Sequence, residues 1–483
     1  MKISPVQRQS IISFFWQIVF TATGFVSTMY FAHTVGASIL GAYFLFIAYN
    51  GIFTLVADGG FGGAAVKRIS EGEEPDAYFS AYFLIRLTFS MTVVLTLFMF
   101  KDYFVDLNTS GMFEWLVLAV IISVLAGPIS NGVAGRGKMG IRSTCAAVGN
   151  ISKILLQVLA VFLGYEAAGL AGGAVAGILI AAIVEFRFLD LHFARFGWKH
   201  VKSLSTFSFW LFLTSGGLLV FSQSDTILIG YFMGNTDVGI YRVALQFTTI
   251  AAFATYALRT TLWPKVSHWG KNSEMGLVET SLSRALGYSL ILAVPVFVGG
   301  VLLGDKLLYF FYGAEFAQGY MTLTVLLAVQ VVNVFQYFFT MYIDALDQPK
   351  ESFKVTAVGV VANIILNITL IPIMGILGAA IATLATMTLN AYLAQRVLSR
   401  MITIKMEHDS LMNIMKAVAV MGLFVGGFRM LVPISNVWVT LIVVVVGAGL
   451  YSFLILKIDE KICYELKEIV EKMGLGVFWP NWL

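Results

Sequence analysis

Runs of about twenty mainly apolar residues recur along the chain, separated by short polar segments, and each is long enough to cross a bilayer core as a helix. On that ruler the first six spans fall near Ile11–His33, Ser38–Ala57, Phe79–Phe100, Phe113–Val133, Ser143–Leu163 and Gly169–Phe186. Spans seven to twelve fall near Phe207–Gly230, Val238–Leu262, Ala285–Gly304, Tyr320–Ala345, Val355–Ile371 and Ile376–Val397. Two more follow at Leu411–Leu431 and Val437–Leu456, so the pattern predicts an all-α polytopic membrane protein with about fourteen transmembrane helices. The first span is too long for a signal-peptide core of roughly 7–15 residues and is expected to remain in the mature protein. The tail from Lys457 carries Ile458, Ile462, Leu466, Ile469 and Met473 at near-helical spacing, which suits a helix on the inner membrane surface or a plain solvated one.

Composition agrees: 59% of residues are hydrophobic and 12% charged, with mean hydropathy +0.86, against roughly a quarter charged in a soluble domain. The net charge of +4 matters less than where the cations fall. With the N-terminus inside, 23 of the 31 lysines and arginines lie in inner segments and only Lys101 and Lys306 in outer loops. The other six, Arg86, Lys153, Arg242, Arg259, Lys416 and Arg429, fall within spans. Retention of cations on the cytoplasmic side then puts both termini in the cytoplasm of a multi-pass cell-membrane protein. No basic stripe accompanies a soluble fold, so nucleic acid is not an expected partner. Cys145 and Cys463 both fall on the cytoplasmic side, where no disulfide is expected.

The chain also resembles itself. Gly36, Gly41 and Tyr43, spaced G-x-x-x-x-G-x-Y, return as Gly234, Gly239 and Tyr241 at a shift of 198. Ala147-Val148-Gly149 returns as Ala357-Val358-Gly359, and Gly169, Gly172, Ala174 and Ala176 return as Gly375, Gly378, Ala380 and Ala382. A six-span repeat inserts both halves in the same orientation, related by an axis along the membrane normal, which is a transporter plan with a cavity between two bundles. The expected division is a six-helix lobe over 1–200, a second over 201–405, two added helices over 406–456 and a tail over 457–483.

Ionisable and amide residues inside spans mark the candidate site. Asn150, Lys153 and Gln157 form one narrow polar stripe on span five, and the repeat aligns Lys153 with Asn363 and Gln157 with Asn367 on span eleven. Lys153 lies about 15 Å from the inner end, near the bilayer centre. Arg86 and Arg259 stand nearer the inner ends of their spans, where a long side chain either lines a cavity or snorkels to the surface. Asp225 and Arg242 fall at similar depth on adjoining spans, which suits an ion pair or an ion-coupling carboxylate at Asp225. Gln330, Asn333 and Gln336 suit helix-to-helix hydrogen bonds or cavity lining. The five histidines have no metal-ligand spacing, no phosphate-binding G-x-x-x-x-G-K-[ST] loop occurs, and neither a catalytic role nor a cofactor is expected.

Three stretches carry a family resemblance. They are Asp225-Thr-Ile-Leu-Ile-Gly-Tyr-Phe-Met-Gly-Asn-Thr-Asp-Val-Gly-Ile-Tyr241, Trp263-Pro264-Lys265-Val266-Ser267, and Asn363-Ile-Ile-Leu-Asn-Ile-Thr-Leu-Ile-Pro-Ile-Met-Gly-Ile-Leu-Gly-Ala-Ala-Ile-Ala-Thr383. With the fourteen-span count they resemble the polysaccharide transporters, the O-antigen, exopolysaccharide and teichuronic-acid type flippases of the multidrug/oligosaccharidyl-lipid/polysaccharide superfamily. The resemblance implies that a polyprenyl-(di)phosphate-linked oligosaccharide is turned to the outer leaflet by alternating access through a cationic cavity. Its implied surroundings are membrane lipids and a glycan polymerase with glycosyltransferases; a monomer is expected. Two alternatives stay open: an ion-coupled multidrug exporter of the same superfamily, although span one holds no acid, and a membrane-embedded glycan polymerase or ligase. The second would need larger outer loops, and the longest here runs about 14 residues, Asp305 to Gln318.

Overall fold

The computed structural model describes residues 5–464 and Lys467. Among these, the chain is helical throughout, with no strand. In order the helices are α1 (Pro5–Asp58), α2 (Phe61–Glu71), α3 (Pro75–Met99), α4 (Val105–Thr109), α5 (Phe113–Gly135), α6 (Met139–Phe162), α7 (Glu166–Phe186), α8 (Trp198–Met233), α9 (Asn235–Lys271), α10 (Met275–Tyr312), α11 (Tyr320–Ala345), α12 (Pro349–Met374), α13 (Ile376–Leu398), α14 (His408–Leu431) and α15 (Val437–Ile458). Thirteen of the described helices are long and apolar enough to cross a membrane. The first is broken at Gly36, so it supplies two spans and the expected fourteen are all present. Leu466, Ile469 and Met473 of the expected tail helix lie outside the described residues.

The repeated glycine explains the break. Gly36 has φ 74 and ψ 177 and Gly234, between α8 and α9, has φ 95 and ψ −177. That backbone region is open essentially to glycine alone, so the motif's first glycine turns the chain between two spans in each half. The packing pattern repeats as well: α6 on α7 and α5 on α7 in the first half are matched by α12 on α13 and α11 on α13 in the second.

The helices gather into two compact units, Met1–Arg242 and Val243–Leu483. In the first unit α8 lies on α1, α2 and α3. The short helix α2 lies in a segment between spans two and three that the twenty-residue ruler passes over. It buries Phe61, Ala64, Ala65 and Ile69 in a cluster with Phe79, Tyr82, Leu191 and Leu204, and Lys67 sits 4.2 Å over the Phe207 ring. The segment after α7 is pinned to α3, with the His192 amide donating to Asp76 (3.0 Å) and the Ala194 amide to Ser80 (2.8 Å).

In the second unit α14 and α15 pack on α10. Arg429 of α14 makes two bonds of 2.9 Å to the Asp305 carboxylate, and the Tyr451 hydroxyl of α15 donates to the Ile291 carbonyl at 2.8 Å. Arg429, a cation within a span, is therefore paired. Such bonds hold helices together in lipid, where burial of apolar surface contributes little between them.

Candidate functional site

The first unit holds a half-open cavity of about 210 Å³. The first span of α1 contributes Phe20, Thr23, Ser27, Thr28 and Phe31, and its second span, beyond Gly36, contributes Leu40, Tyr43, Phe44 and Ile47. Helix α6 contributes Asn150, Lys153, Ile154 and Gln157, and α9 contributes Arg242. The polar stripe of α6 thus stands in one cavity, joined by a cation from a different span. Helix α6 begins at Met139 rather than Ser143. Lys153 is therefore fourteen residues, or about 21 Å, from the Met139 end and nine residues from the Phe162 end, off-centre rather than midway.

Among the described residues no carboxylate lines the cavity, and neither Lys153 nor Arg242 has an acidic partner within 4 Å. Arg242 lies 5.3 Å over the Phe44 ring. A cation withdrawn from water without a counter-charge is costly, so this cavity favours an anion.

Asp225 and Arg242 do not form the contact pair that their similar depth suggested. The Asp225 carboxylate accepts from the Tyr241 hydroxyl at 2.6 Å, and it acts on Arg242 only through the longer-range field. Adjacent helical residues point about 100° apart, so a side chain beside Tyr241 takes another direction. Gln157 is 1% exposed and its amide nitrogen donates to the Tyr43 hydroxyl (2.9 Å) and the Leu170 carbonyl (2.7 Å).

Arg86 neither lines this cavity nor snorkels. It is 3% exposed, and its Nη1 contacts the Asp58 carboxylate while its Nε donates to the Ser123 carbonyl at 3.0 Å. The Tyr82 hydroxyl donates to Asp58 at 2.7 Å and accepts from Asn131 at 2.8 Å. Asp58 also accepts from the Gly62 amide at the start of α2, at 3.0 Å. The network therefore ties α1, α2, α3 and α5 together. Asp58 stands one residue beyond the expected end of span two, and its partner is 28 residues away on another helix.

The remaining candidates lie in the second unit. Asn363 and Asn367 are 1% and 0% exposed, and Asn367 Nδ2 donates to Asn363 Oδ1 at 3.0 Å. Arg259 is half-buried, with its guanidinium 5.7 Å from the Tyr337 ring; the Tyr337 hydroxyl shares a 3.2 Å bond with that of Tyr256. Gln330 donates to Thr248 at 3.2 Å and Asn333 donates to Gln330 at 3.3 Å; these are helix-to-helix and same-helix bonds.

Sequence reading passed over the α1 hydroxyls and rings. Thr23 and Ser27 are four apart, a polar pair on one face of an apolar span, which was the available signal. Among the described residues no cluster of histidine, cysteine or carboxylate side chains could hold a metal.

Known proteins resemble the chain over most of its length. The chain is 27% identical over 92% of its length to the probable low-salt glycan biosynthesis flippase Agl15 of Haloferax volcanii, spanning 94% of that protein. It is 25% identical over 98% of its length to the probable flippase AglR of the same organism, spanning all of it. A putative O-antigen transporter of Shigella flexneri is 22% identical over 82% of this chain and 98% of its own. Among solved structures, the lipid II flippase MurJ in an inward closed conformation superposes with a TM-score of 0.77 at 18% identity, covering 92% of this chain and 97% of its own. An inward-facing multidrug resistance MATE family transporter of the MOP superfamily superposes at 0.63 and 15% identity, covering 79% and 94%. These two likenesses establish the fold. A second family profile, MatE, matches residues 211–369. Because the polysaccharide biosynthesis protein profile matches residues 6–268, more than half of the chain, the protein belongs to that family.

Proposed function

We propose that the protein is a flippase that moves a polyprenyl-phosphate-linked or diphosphate-linked oligosaccharide from the cytoplasmic to the outer leaflet. The observation that carries this reading is the cavity that holds Lys153 and Arg242 with no carboxylate among its described lining residues. A phosphate supplies the counter-charge these side chains lack, and the amides and hydroxyls beside them suit sugar and phosphate oxygens. The Haloferax and Shigella relatives, named for glycan flipping and O-antigen transport, support the same class of cargo. A multidrug exporter of cations fits less well, since a cationic drug would meet two like charges and, among the described lining residues, no carboxylate.

In this reading two pseudosymmetric lobes, 1–200 and 201–405, alternate access to the cavity, with 406–456 added to the second lobe and both termini in the cytoplasm of the host's cell membrane. Lys153 and Arg242 hold the phosphate and Asn150 bonds its surroundings, while Gln157, with both amide hydrogens given to Leu170 and Tyr43, acts by positioning Tyr43. Arg86 supports the helices that frame them, and Arg259, Asn363 and Asn367 are the polar groups we assign to cargo contact within the second half. Outward passage of an anion across an inside-negative membrane is downhill by about 2.3 kcal/mol per charge per 100 mV. A proton relay is then not required, and Asp225 serves to orient Tyr241 rather than to couple an ion. The protein acts as a monomer beside the polymerase and glycosyltransferases that extend its cargo.

Reconstitution tests the proposal. Proteoliposomes carrying the protein and a polyprenyl-diphosphate oligosaccharide should expose the glycan to an impermeant glycosidase, faster with a potential that favours anion exit than after valinomycin with balanced potassium. No translocation of the glycolipid, with export of a cationic dye instead, would overturn it.

A further inference from the structure

We infer that Tyr43 is a third binding group of the cavity, donating its hydroxyl proton to an acceptor oxygen of the anionic head group; the inference rests on the anion reading above. The argument follows from hydrogen-bond direction. A carbonyl oxygen only accepts, so the 2.7 Å contact with Leu170 fixes which end of the Gln157 amide faces it. The same nitrogen then donates its second hydrogen to the Tyr43 hydroxyl. Tyr43 Oη therefore accepts from Gln157, and among the described residues no group takes the Tyr43 proton. The side chain is 8% exposed and lines the cavity with Gln157, Lys153 and Arg242.

The repeat supplies a contrast within the same molecule. Tyr241, its counterpart in the second motif, donates to the Asp225 carboxylate at 2.6 Å, so that proton is already committed. A carboxylate opposite one tyrosine and a donating amide opposite the other leave the Tyr43 hydroxyl alone as an outward donor. Placed beside two cations, a donor selects a ligand made of acceptors, such as a phosphate or diphosphate, over a cationic or donor-rich one.

The test uses the full-length protein and inorganic pyrophosphate as probe. A hydrogen bond to a charged oxygen is worth enough that Tyr43→Phe, which removes only the hydroxyl, should raise the pyrophosphate Kd about tenfold or more. With tyrosine 13C-labelled at the ring carbon bearing oxygen, infrared difference spectra should show a shifted phenol C–O band on adding pyrophosphate to the wild type. That band should be missing in Tyr43→Phe. Binding by Tyr43→Phe at wild-type affinity, with no shifted band in the wild type, would remove Tyr43 and leave the anion cavity standing. Failure of the wild type to bind pyrophosphate would overturn the anion reading and this inference together.

Discussion

Gly41 and Gly239, the second glycines of the two repeated motifs, pack into one another's hairpins. A methyl on Gly41 would overlap the Asn235 carbonyl and the Gly239 amide, and a methyl on Gly239 would overlap the Ala37 carbonyl. The second span of α1 and the start of α9 therefore meet backbone to backbone, beside the cavity residues Tyr43 and Arg242.

This approach admits no side chain, so Gly41→Val should force the two segments apart at a cost of about 1–3 kcal/mol. A penalty toward the lower end of that range, about 1.4 kcal/mol, shifts an open-to-closed balance by about tenfold. An impermeant thiol reagent added outside should accordingly label Ile154→Cys about tenfold faster in the Gly41→Val background. Unchanged labelling would mean that this contact does not close the cavity.

The Arg86–Asp58 network predicts a structural phenotype. Removing one partner from a buried ion pair leaves the other charge uncompensated, at about 3–5 kcal/mol. Arg86→Ala and Asp58→Asn should each lower the thermal midpoint in detergent, while the apolar pair Arg86→Met with Asp58→Leu should recover much of it. Full stability in both single variants would show that the pair contributes little. Gly127 leaves room for the guanidinium, since a methyl there would overlap it, so Gly127→Ala should share the loss.

Between the spans, Glu74 bonds Lys199 at 2.5 Å and His200 at 3.0 Å, linking the start of α3 to the start of α8. The Lys199 ammonium and then the His200 ring hold the Glu74 carboxyl below its ordinary value of 4.5. A depressed carboxyl contributes above that value and loses its contribution as pH falls through the folded pKa. Hydrogen exchange at the start of α8 should therefore rise modestly below about pH 4.5, and Glu74→Gln should show the faster exchange already at neutral pH. Equal exchange in the variant would show that the link does not hold α8.

Much of this architecture was legible because lipid imposes a single length on every span. The polar stripe Asn150–Lys153–Gln157 was legible for a related reason, since such residues on an apolar helix need a polar surrounding. Helix α2 escaped the ruler because its eleven residues lie in a charged segment between spans and bury only one face. Asp58 escaped because its partner stands on another helix, and no local pattern encodes that meeting. Tyr43 was visible as a motif residue but not as a donor, since the direction of its hydrogen bond depends on the Leu170 carbonyl.

The role of the cavity cations is tested most directly by the rate at which Lys153→Gln and Lys153→Arg move a polyprenyl-diphosphate oligosaccharide across proteoliposomes at matched insertion. Losing a charge-assisted contact to phosphate should slow Lys153→Gln about tenfold or more, with Lys153→Arg retaining most of the wild-type rate. A wild-type rate in Lys153→Gln would contradict the assignment of this cavity to the anionic head group.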